Sequence, residues 1–183
     1  MSTFSDENLM KSVRDGDPVK LGLLFERHHR HLYNYFMRWS KGSEASEDLV
    51  QDVFCRILKY KSSYKDEQAF LPWLFRIAHN AGVDHFHTKE EALPLDDSFE
   101  PVSNGQFEKK LDDRMALKHL SSAMEKLSPE KRELVLLCRF HNLKYKQISG
   151  ILGCSISAIK VRLHRALKEL ADLYQGCSEE KRV

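Results

Sequence analysis

The sequence predicts an all-α protein: two small helical domains joined by a flexible linker, the second containing a helix-turn-helix. Apolar residues recur at helical spacing over 8–89, with few glycines and no strand-like alternation. Helix breakers and acids then gather over 91–104, and helical spacing resumes near Phe107 and persists to about Tyr174. The predicted organisation is a first domain at 1–90, an acidic linker at 91–106, a second domain at 107–176 and a polar tail at 177–183.

The composition is that of a folded protein, with 42% hydrophobic and 31% charged residues. No apolar run approaches the ~18 consecutive residues that a membrane helix needs. The first ten residues carry Asp6 and Glu7 and lack the basic and apolar segments of a secretory signal. We therefore expect a cytoplasmic protein without membrane insertion.

The four cysteines lie far apart and form no C-x-x-C pair, which argues against a zinc ribbon or a disulfide framework. We expect reduced thiols and no cofactor. Cys55, Cys138 and Cys154 fall among apolar helical residues, where a buried thiol is the ordinary outcome. Only Cys177, in the polar tail, is expected to be reactive.

The net charge of +2 conceals a division along the chain. Residues 1–90 carry 13 basic and 13 acidic side chains, residues 91–113 carry 2 and 7, and residues 114–183 carry 14 and 7. The three segments therefore have net charges of 0, −5 and +7. A small segment this basic is typical of a polyanion-binding domain, although a solvated charged face gives similar counts.

The first motif-bearing helix is predicted over 43–58, where Ser43 can cap the N-terminus and Glu44 and Glu47 favour its positive end. Its apolar side comprises Leu49, Val50, Val53, Phe54, Ile57 and Leu58. Its polar side comprises Asp48, Gln51, Asp52 and Lys59. On physical grounds alone, this polar stripe is a solvated face.

A second stretch, 70–89, combines aromatic, polar and basic side chains. Trp73 stands at helical spacing with Ile77, which predicts that it lies in the core. Three histidines, at 79, 85 and 87, leave Arg76 and Lys89 as the fixed positive charges nearby. Because histidine has a reference pKa of ~6.5 and is only partly charged at neutral pH, we expect weak phosphate attraction here.

The sharpest local signal is the stretch 145–166, whose pattern is helix, turn, helix. Gly153 provides the positive φ of the turn, and Ser155 can cap the second helix. The inner residues are Ile148, Ile151 and Leu152 on the first helix and Ile156, Ile159, Leu163, Leu167 and Leu170 on the second. The outer face of the second helix carries Ser157, Lys160, Val161, Arg162, His164, Arg165 and Lys168. Such a helix can lie in a major groove; the alternative is an amphipathic pair with a basic surface.

These stretches carry a family resemblance. Residues 127–132, 143–148 and the helix-turn-helix closely resemble the promoter-binding C-terminal domain of extracytoplasmic-function (ECF) sigma factors, of the sigma-70 family. Residues 47–54 resemble the sigma helix that docks onto the clamp coiled coil of RNA polymerase. Residues 70–89 resemble the segment that opens the duplex and captures unpaired bases of the −10 element. The resemblance covers roughly 9–173.

The resemblance implies site residues in both domains. Core polymerase would be bound by Asp48, Gln51, Asp52 and Arg56. The melted −10 element would be contacted by Tyr64, Lys65, Arg76, His79, Asn80, His85 and Lys89. The −35 element would be contacted by the outer face of the second helix, with Lys160, Val161 and Arg165 at positions of base and phosphate contact. Val161 stands where a small polar residue is frequent, so a different sequence preference is expected there.

The resemblance thus implies a sigma factor that binds core RNA polymerase and directs promoter recognition and transcription initiation, without a catalytic site. Promoter DNA is the second partner, and an anti-sigma factor is a candidate third. One alternative is a helix-turn-helix regulator that does not depend on polymerase docking. Another is a metal-dependent hydrolase, prompted by His28, His29 and His31 with Glu26, although no H-E-x-x-H or equivalent set completes a site.

Overall fold

A computed structural model describes residues 4–40, 43–89 and 111–179, and these ranges contain helices and turns but no strand. The predicted all-α class is confirmed. The helices are α1 Asp6–Arg14, α2 Lys20–Ser40, α3 Ser43–Tyr60, α4 Phe70–Lys89, α5 Leu111–Lys126, α6 Pro129–Val135, α7 Tyr145–Leu152 and α8 Ile156–Glu179. A 3₁₀ turn at Lys61–Ser63 follows α3, and a π-helical turn at Leu136–Phe140 continues α6.

Several expectations fall outside the described residues. They are the linker at 91–106, the start of the second domain near Phe107, and the side chains of Ser43, Lys89 and Cys177. At the other end, α8 continues to Glu179, past the predicted start of the polar tail. No proline interrupts this stretch, and polar side chains alone do not end a helix.

The turn between α7 and α8 follows its sequence signals. Gly153 adopts the left-handed conformation, with φ of 64°, and ends α7. Ser155 Oγ accepts a hydrogen bond from the Ala158 N–H at 3.2 Å and so caps α8. Ser149 Oγ donates to the Cys154 carbonyl at 2.5 Å, which holds the turn against α7. The predicted helix-turn-helix is confirmed.

The core of the first domain is aromatic and lies between α2, α3 and α4. Trp73 is 6% exposed, and its ring lies 5.1 Å from that of Tyr64 and 6.3 Å from that of Phe70. The prediction that Trp73 belongs to the core is confirmed. Such edge-to-face and tilted pairs add to the stabilisation that burial of the rings supplies.

Three residues predicted to be buried are exposed. Leu58 and Ile156 are each 41% exposed, and Cys55 is exposed. Successive helical residues point ~100° apart, so the core that takes Phe54 and Ile57 leaves their neighbours Cys55 and Leu58 outside. Ile156 is the first residue of α8 and precedes the turn that packs on α7.

The two predicted domains pack against each other, with α6 on α2 and α7 on α4. Buried apolar residues from both domains form one continuous cluster. The ring of His141, in the loop before α7, lies 4.2 Å from the Phe75 ring and 6.1 Å from the Tyr35 ring. Nothing in the sequence pattern predicted this closed arrangement.

The partly buried imidazole of His141 predicts a specific acid sensitivity. Burial, together with weaker repulsion from His31 and Arg38, lowers the pKa of His141 to about 4. Between that value and the ~6.5 of an unfolded histidine, the unfolded chain binds more protons, so stability falls as the pH falls. In urea titrations, the unfolding free energy of wild type should fall between pH 7 and pH 5 by about 1–2 kcal/mol more than that of His141→Asn. Equal losses of unfolding free energy in the two proteins would contradict a neutral His141 ring.

Candidate nucleic-acid and polymerase interfaces

The outer face of α8 is a cationic surface. Its seven predicted residues, Ser157, Lys160, Val161, Arg162, His164, Arg165 and Lys168, are all exposed. The opposite face is fixed by Ile159, Leu163 and Ala166, none of which is more than 3% exposed. Within the described residues, none of the four lysines and arginines pairs with a carboxylate. A rigid helix therefore presents unneutralised cations to a polyanion.

The polar stripe of α3 divides into a free part and a bound part. Asp48 and Gln51 are exposed. Asp52 accepts from Arg56 Nε at 2.8 Å, and Arg56 Nη1 donates to Asp84 at 2.6 Å. Arg56, predicted to contact polymerase, therefore also ties α3 to α4. Asp48 and Gln51 are the stripe residues that are most available to a partner.

A groove beside α4 gathers several of the predicted −10 residues. Lys65, Arg76 and Asn80 are exposed and line one cavity of about 1050 Å³. Sequence reasoning missed five further lining residues, Tyr60, Ser63, Glu67, Gln68 and Lys146. Tyr60 is 47% exposed, and Lys59 Nζ lies 5.4 Å from its ring centroid, so an aromatic face and a cation meet at the groove. The sequence signal that could have indicated Tyr60 was an aromatic residue directly after the polar stripe.

Tyr64 is placed differently from the prediction. It is 2% exposed, and its hydroxyl donates to the Gln68 carbonyl at 2.6 Å. Burial, with Glu7 nearby, raises the pKa of Tyr64 to about 12. The ring packs in the aromatic core because the 3₁₀ turn directs it inward, and in this arrangement it cannot contact a DNA strand.

His79 and His85, which were predicted to contact the −10 element, are also not fully exposed side chains. His79 Nδ1 lies 2.8 Å from Glu133 Oε1 of α6, and the His79 side chain is 20% exposed. His85 is partly buried. The structure therefore turns His79 towards the second domain rather than into the groove.

Two of the three histidines that suggested a hydrolase, His28 and His29, make local hydrogen-bonding contacts. His28 is 8% exposed, with Nε2 2.7 Å from Asp6 Oδ2. His29 Nδ1 lies 2.8 Å from the Phe25 carbonyl. No group of histidine, cysteine and carboxylate side chains suited to a metal ion occurs within 4–40, 43–89 and 111–179. Of the helices in those ranges, none has the length and apolar character to cross a bilayer.

Two family models match the chain in the order of its domains. The model for Sigma-70 region 2 matches residues 24–91, and that for Sigma-70, region 4 matches residues 117–170. ECF RNA polymerase sigma factor SigF of Caulobacter vibrioides is 32% identical over 171 residues, 90% of each chain. RNA polymerase sigma factor CarQ of Myxococcus xanthus is 28% identical over 167 residues, 90% of this chain and 94% of that one.

Two solved structures share the fold. CnrH in complex with the cytosolic domain of CnrY superposes with a TM-score of 0.70 at 23% identity, covering 93% of this chain and 97% of that one. The sigma factor RpoE in complex with the anti-sigma factor NepR, from Bartonella quintana, gives 0.69 at 22% identity, covering 84% and 96%. Both sigma-70 regions match in order, and SigF is more than 30% identical over 90% of its length. The chain therefore belongs to the ECF sigma factors of the sigma-70 family.

Proposed function

We propose that this chain binds core RNA polymerase and directs it to promoters, while the polymerase performs all the chemistry. One observation carries the proposal. A single chain presents a polar stripe on α3 with Asp48 and Gln51 exposed, a polar and aromatic groove beside α4 and an unneutralised cationic helix α8, within the two matched sigma regions. A regulator that only bound duplex DNA would need the third of these surfaces alone.

The second domain is assigned to the −35 element. Recognition helices read base edges from a major groove, and their lysines and arginines neutralise phosphates. Lys160 lies one turn into α8, and Arg165 follows just over one turn later on the same exposed face. Val161 is 50% exposed between them, where an apolar side chain can contact a thymine methyl group.

The first domain is assigned to polymerase docking and to the −10 element. Asp48 and Gln51 would form the polymerase contact, with Asp52 behind them. The groove beside α4 would hold the opened strand, because Tyr60 offers a stacking face and Arg76 and Lys65 offer cations for phosphates. Asn80 would hydrogen-bond an unpaired base at the same groove.

The Asn80 assignment predicts a defect confined to strand opening. Asn80→Ala removes a polar contact to an unpaired base but leaves the duplex-binding helix α8 untouched. We expect permanganate reactivity of the −10 thymines to fall about 5-fold or more, while duplex binding changes less than 2-fold, on the order of one lost hydrogen bond. Equal losses in both assays would remove Asn80 from the strand contact.

An anti-sigma factor is proposed as a third partner. The support is that CnrH and RpoE, which share this fold, were solved in complexes with the cytosolic domain of CnrY and with the anti-sigma factor NepR. Co-purification of a stoichiometric partner that prevents polymerase binding would establish it.

Complex formation with core polymerase tests the main proposal. Fluorescently labelled chain should form a saturable one-to-one complex with core polymerase, and an established sigma factor should displace it. A helix-turn-helix regulator would bind DNA but would form no such complex, so DNA binding without core binding would favour the alternative.

A further inference from the structure

One side of the groove beside α4 is formed by the end of α3 and the chain that follows it. Residues 64–69 of this chain adopt turns and bends rather than helix or strand. We call the lining residues on this side the groove wall: Tyr60, Ser63, Lys65, Glu67 and Gln68. A regular helix fixes the lining residues of α4, whereas most of the groove wall takes its shape from contacts that hold an irregular segment.

Tyr64 anchors the groove wall to the core. Its ring lies 5.1 Å from that of Trp73, and its hydroxyl donates to the Gln68 carbonyl at 2.6 Å. The Gln68 N–H in turn donates to the Lys65 carbonyl at 3.1 Å. These contacts close the turn on itself, and a different part of the chain holds its outer side.

Helix α1 contacts the segment at both of its ends. Arg14, the last residue of α1, donates from Nη1 to the Tyr64 carbonyl at 3.2 Å and pairs with Asp66 Oδ1 at 2.7 Å. Glu7, in the first turn, accepts from the backbone N–H of Phe70 at 3.2 Å. Because about two helical turns separate Glu7 from Arg14, both side chains project from the same face of α1.

The helix that makes these contacts is itself firmly placed. Leu9, Met10 and Val13 form its inner face, and none of them is more than 1% exposed. Asp15 accepts from Arg14 Nε at 2.9 Å and so fixes the guanidinium at the end of the helix. A side chain held in this way can impose a position on the segment that it contacts.

Asp66 links the position of α1 to the direction of the groove-wall side chains. Lys65 and Glu67 line the groove, whereas Asp66 between them pairs with Arg14. Fixing Asp66 therefore constrains the two side chains next to it. Lys11 Nζ is a second, more distant cation, 4.0 Å from the same carboxylate oxygen.

We propose that Arg14 is a positioning residue for the −10 strand: it holds the groove wall in the arrangement that receives the unpaired bases, and it does so without lining the groove. The inference rests on the proposed function, because the groove wall has this role only if the groove takes the strand. A residue that merely stabilised the fold would affect strand opening, −35 binding and polymerase docking together. A positioning residue affects strand opening alone.

The experiment uses the full chain with core polymerase, on promoters that the wild-type chain selects from a randomised library. Permanganate reactivity of the −10 thymines measures strand opening, and duplex binding and core affinity are measured beside it. Hydrogen exchange of the free chain over 64–70 measures the order of the segment independently of any promoter. The variants are Arg14→Ala and, from the other side of the contact, Asp66→Ala.

Arg27→Ala is the matched control. Arg27 Nη1 also bonds one carbonyl and one carboxylate, those of Phe4 at 2.9 Å and Asp6 at 2.7 Å. These contacts lie at the first turn of α1 rather than at the segment. The control therefore removes an equivalent set of bonds without releasing the groove wall.

We expect Arg14→Ala to speed amide exchange over 64–70 about 5-fold or more and to lower permanganate reactivity about 5-fold, with duplex binding and core affinity within about 2-fold of wild type. Asp66→Ala should lower reactivity about 2-fold, a smaller effect because Arg14 keeps its bond to the Tyr64 carbonyl. Arg27→Ala should match wild type in every assay.

The two variants separate position from simple electrostatics, because one removes a cation and the other removes an anion. Repulsion or attraction of phosphates alone predicts opposite changes, whereas a positioning role predicts a loss in both. If Arg14→Ala fails to fold by circular dichroism, Asp66→Ala decides the matter, since its side chain is 61% exposed.

Normal strand opening by the folded variants, or better opening by Asp66→Ala, would overturn the positioning role and leave the proposed function standing. Unchanged amide exchange over 64–70 in Arg14→Ala would overturn it without reference to any promoter. A wild-type chain that opened no promoter with core polymerase would overturn the proposed function, and the positioning role with it.

Discussion

Core polymerase should bind the chain far more weakly when Asp48 and Gln51 are both replaced by arginine. Both side chains are exposed on the α3 stripe, and neither belongs to the Asp52–Arg56–Asp84 network that joins α3 to α4. Placing like charges across a docking interface costs several kcal/mol, so we expect the dissociation constant to rise on the order of 100-fold or more. Fluorescence titration with core polymerase measures it.

Asp48 and Gln51 suit this test better than Asp52, whose carboxylate holds Arg56 at 2.8 Å. An arginine at position 52 would face Arg56 and disturb the contact between α3 and α4 as well as the docking face. Asp172→Arg, at an exposed position on α8, is the matched charge reversal outside the stripe. Near-wild-type polymerase affinity in a folded double variant would move the docking surface elsewhere.

The chain should lose most of its recognition of the −35 element when Lys160 and Arg165 are both replaced by alanine. Each base-reading contact contributes ~1–3 kcal/mol of discrimination, whereas each phosphate contact weakens all sequences alike and lowers the salt slope by about one. We expect the double variant to lose about 10- to 1000-fold in affinity for the preferred sequence, with at least one single variant relaxing the preference at one base. Sequence selection by the full chain, followed by salt titration, measures both effects.

Lys118→Ala is the control for general electrostatics, because it removes the same charge from an exposed position on α5. It should reduce affinity only slightly and leave the preferred sequence unchanged. If the Lys160 and Arg165 variants behave like this control, the outer face of α8 is not the reading surface.

Local signals predicted much of the fold. The left-handed Gly153, the capping Ser155 and the core position of Trp73 depend on residues within a few positions of each other, and all three are confirmed. Helical periodicity was less reliable at the margins of a face. There, Cys55 and Leu58 fit the apolar pattern of α3 but lie outside the packed region.

The interdomain contacts could not be predicted in this way. Glu133 is 98 residues from Tyr35 and 54 from His79, and no local pattern relates them. His79 was predicted to contact the melted −10 element, yet its ring faces a carboxylate in the other domain. Tyr64 was predicted to contact a DNA strand, and only the path of the 3₁₀ turn shows that its side chain is buried. Both outcomes depend on how distant segments meet.

The most direct test of the whole account is transcription in vitro from a randomised promoter library, with core polymerase and this chain as the sole added initiation factor. We predict transcripts that start at fixed distances downstream of two shared sequence elements, and their loss when Asp48 and Gln51 are both replaced by arginine. Selection of duplex DNA by the wild-type chain without initiation above that of core polymerase alone would contradict a role as a sigma factor.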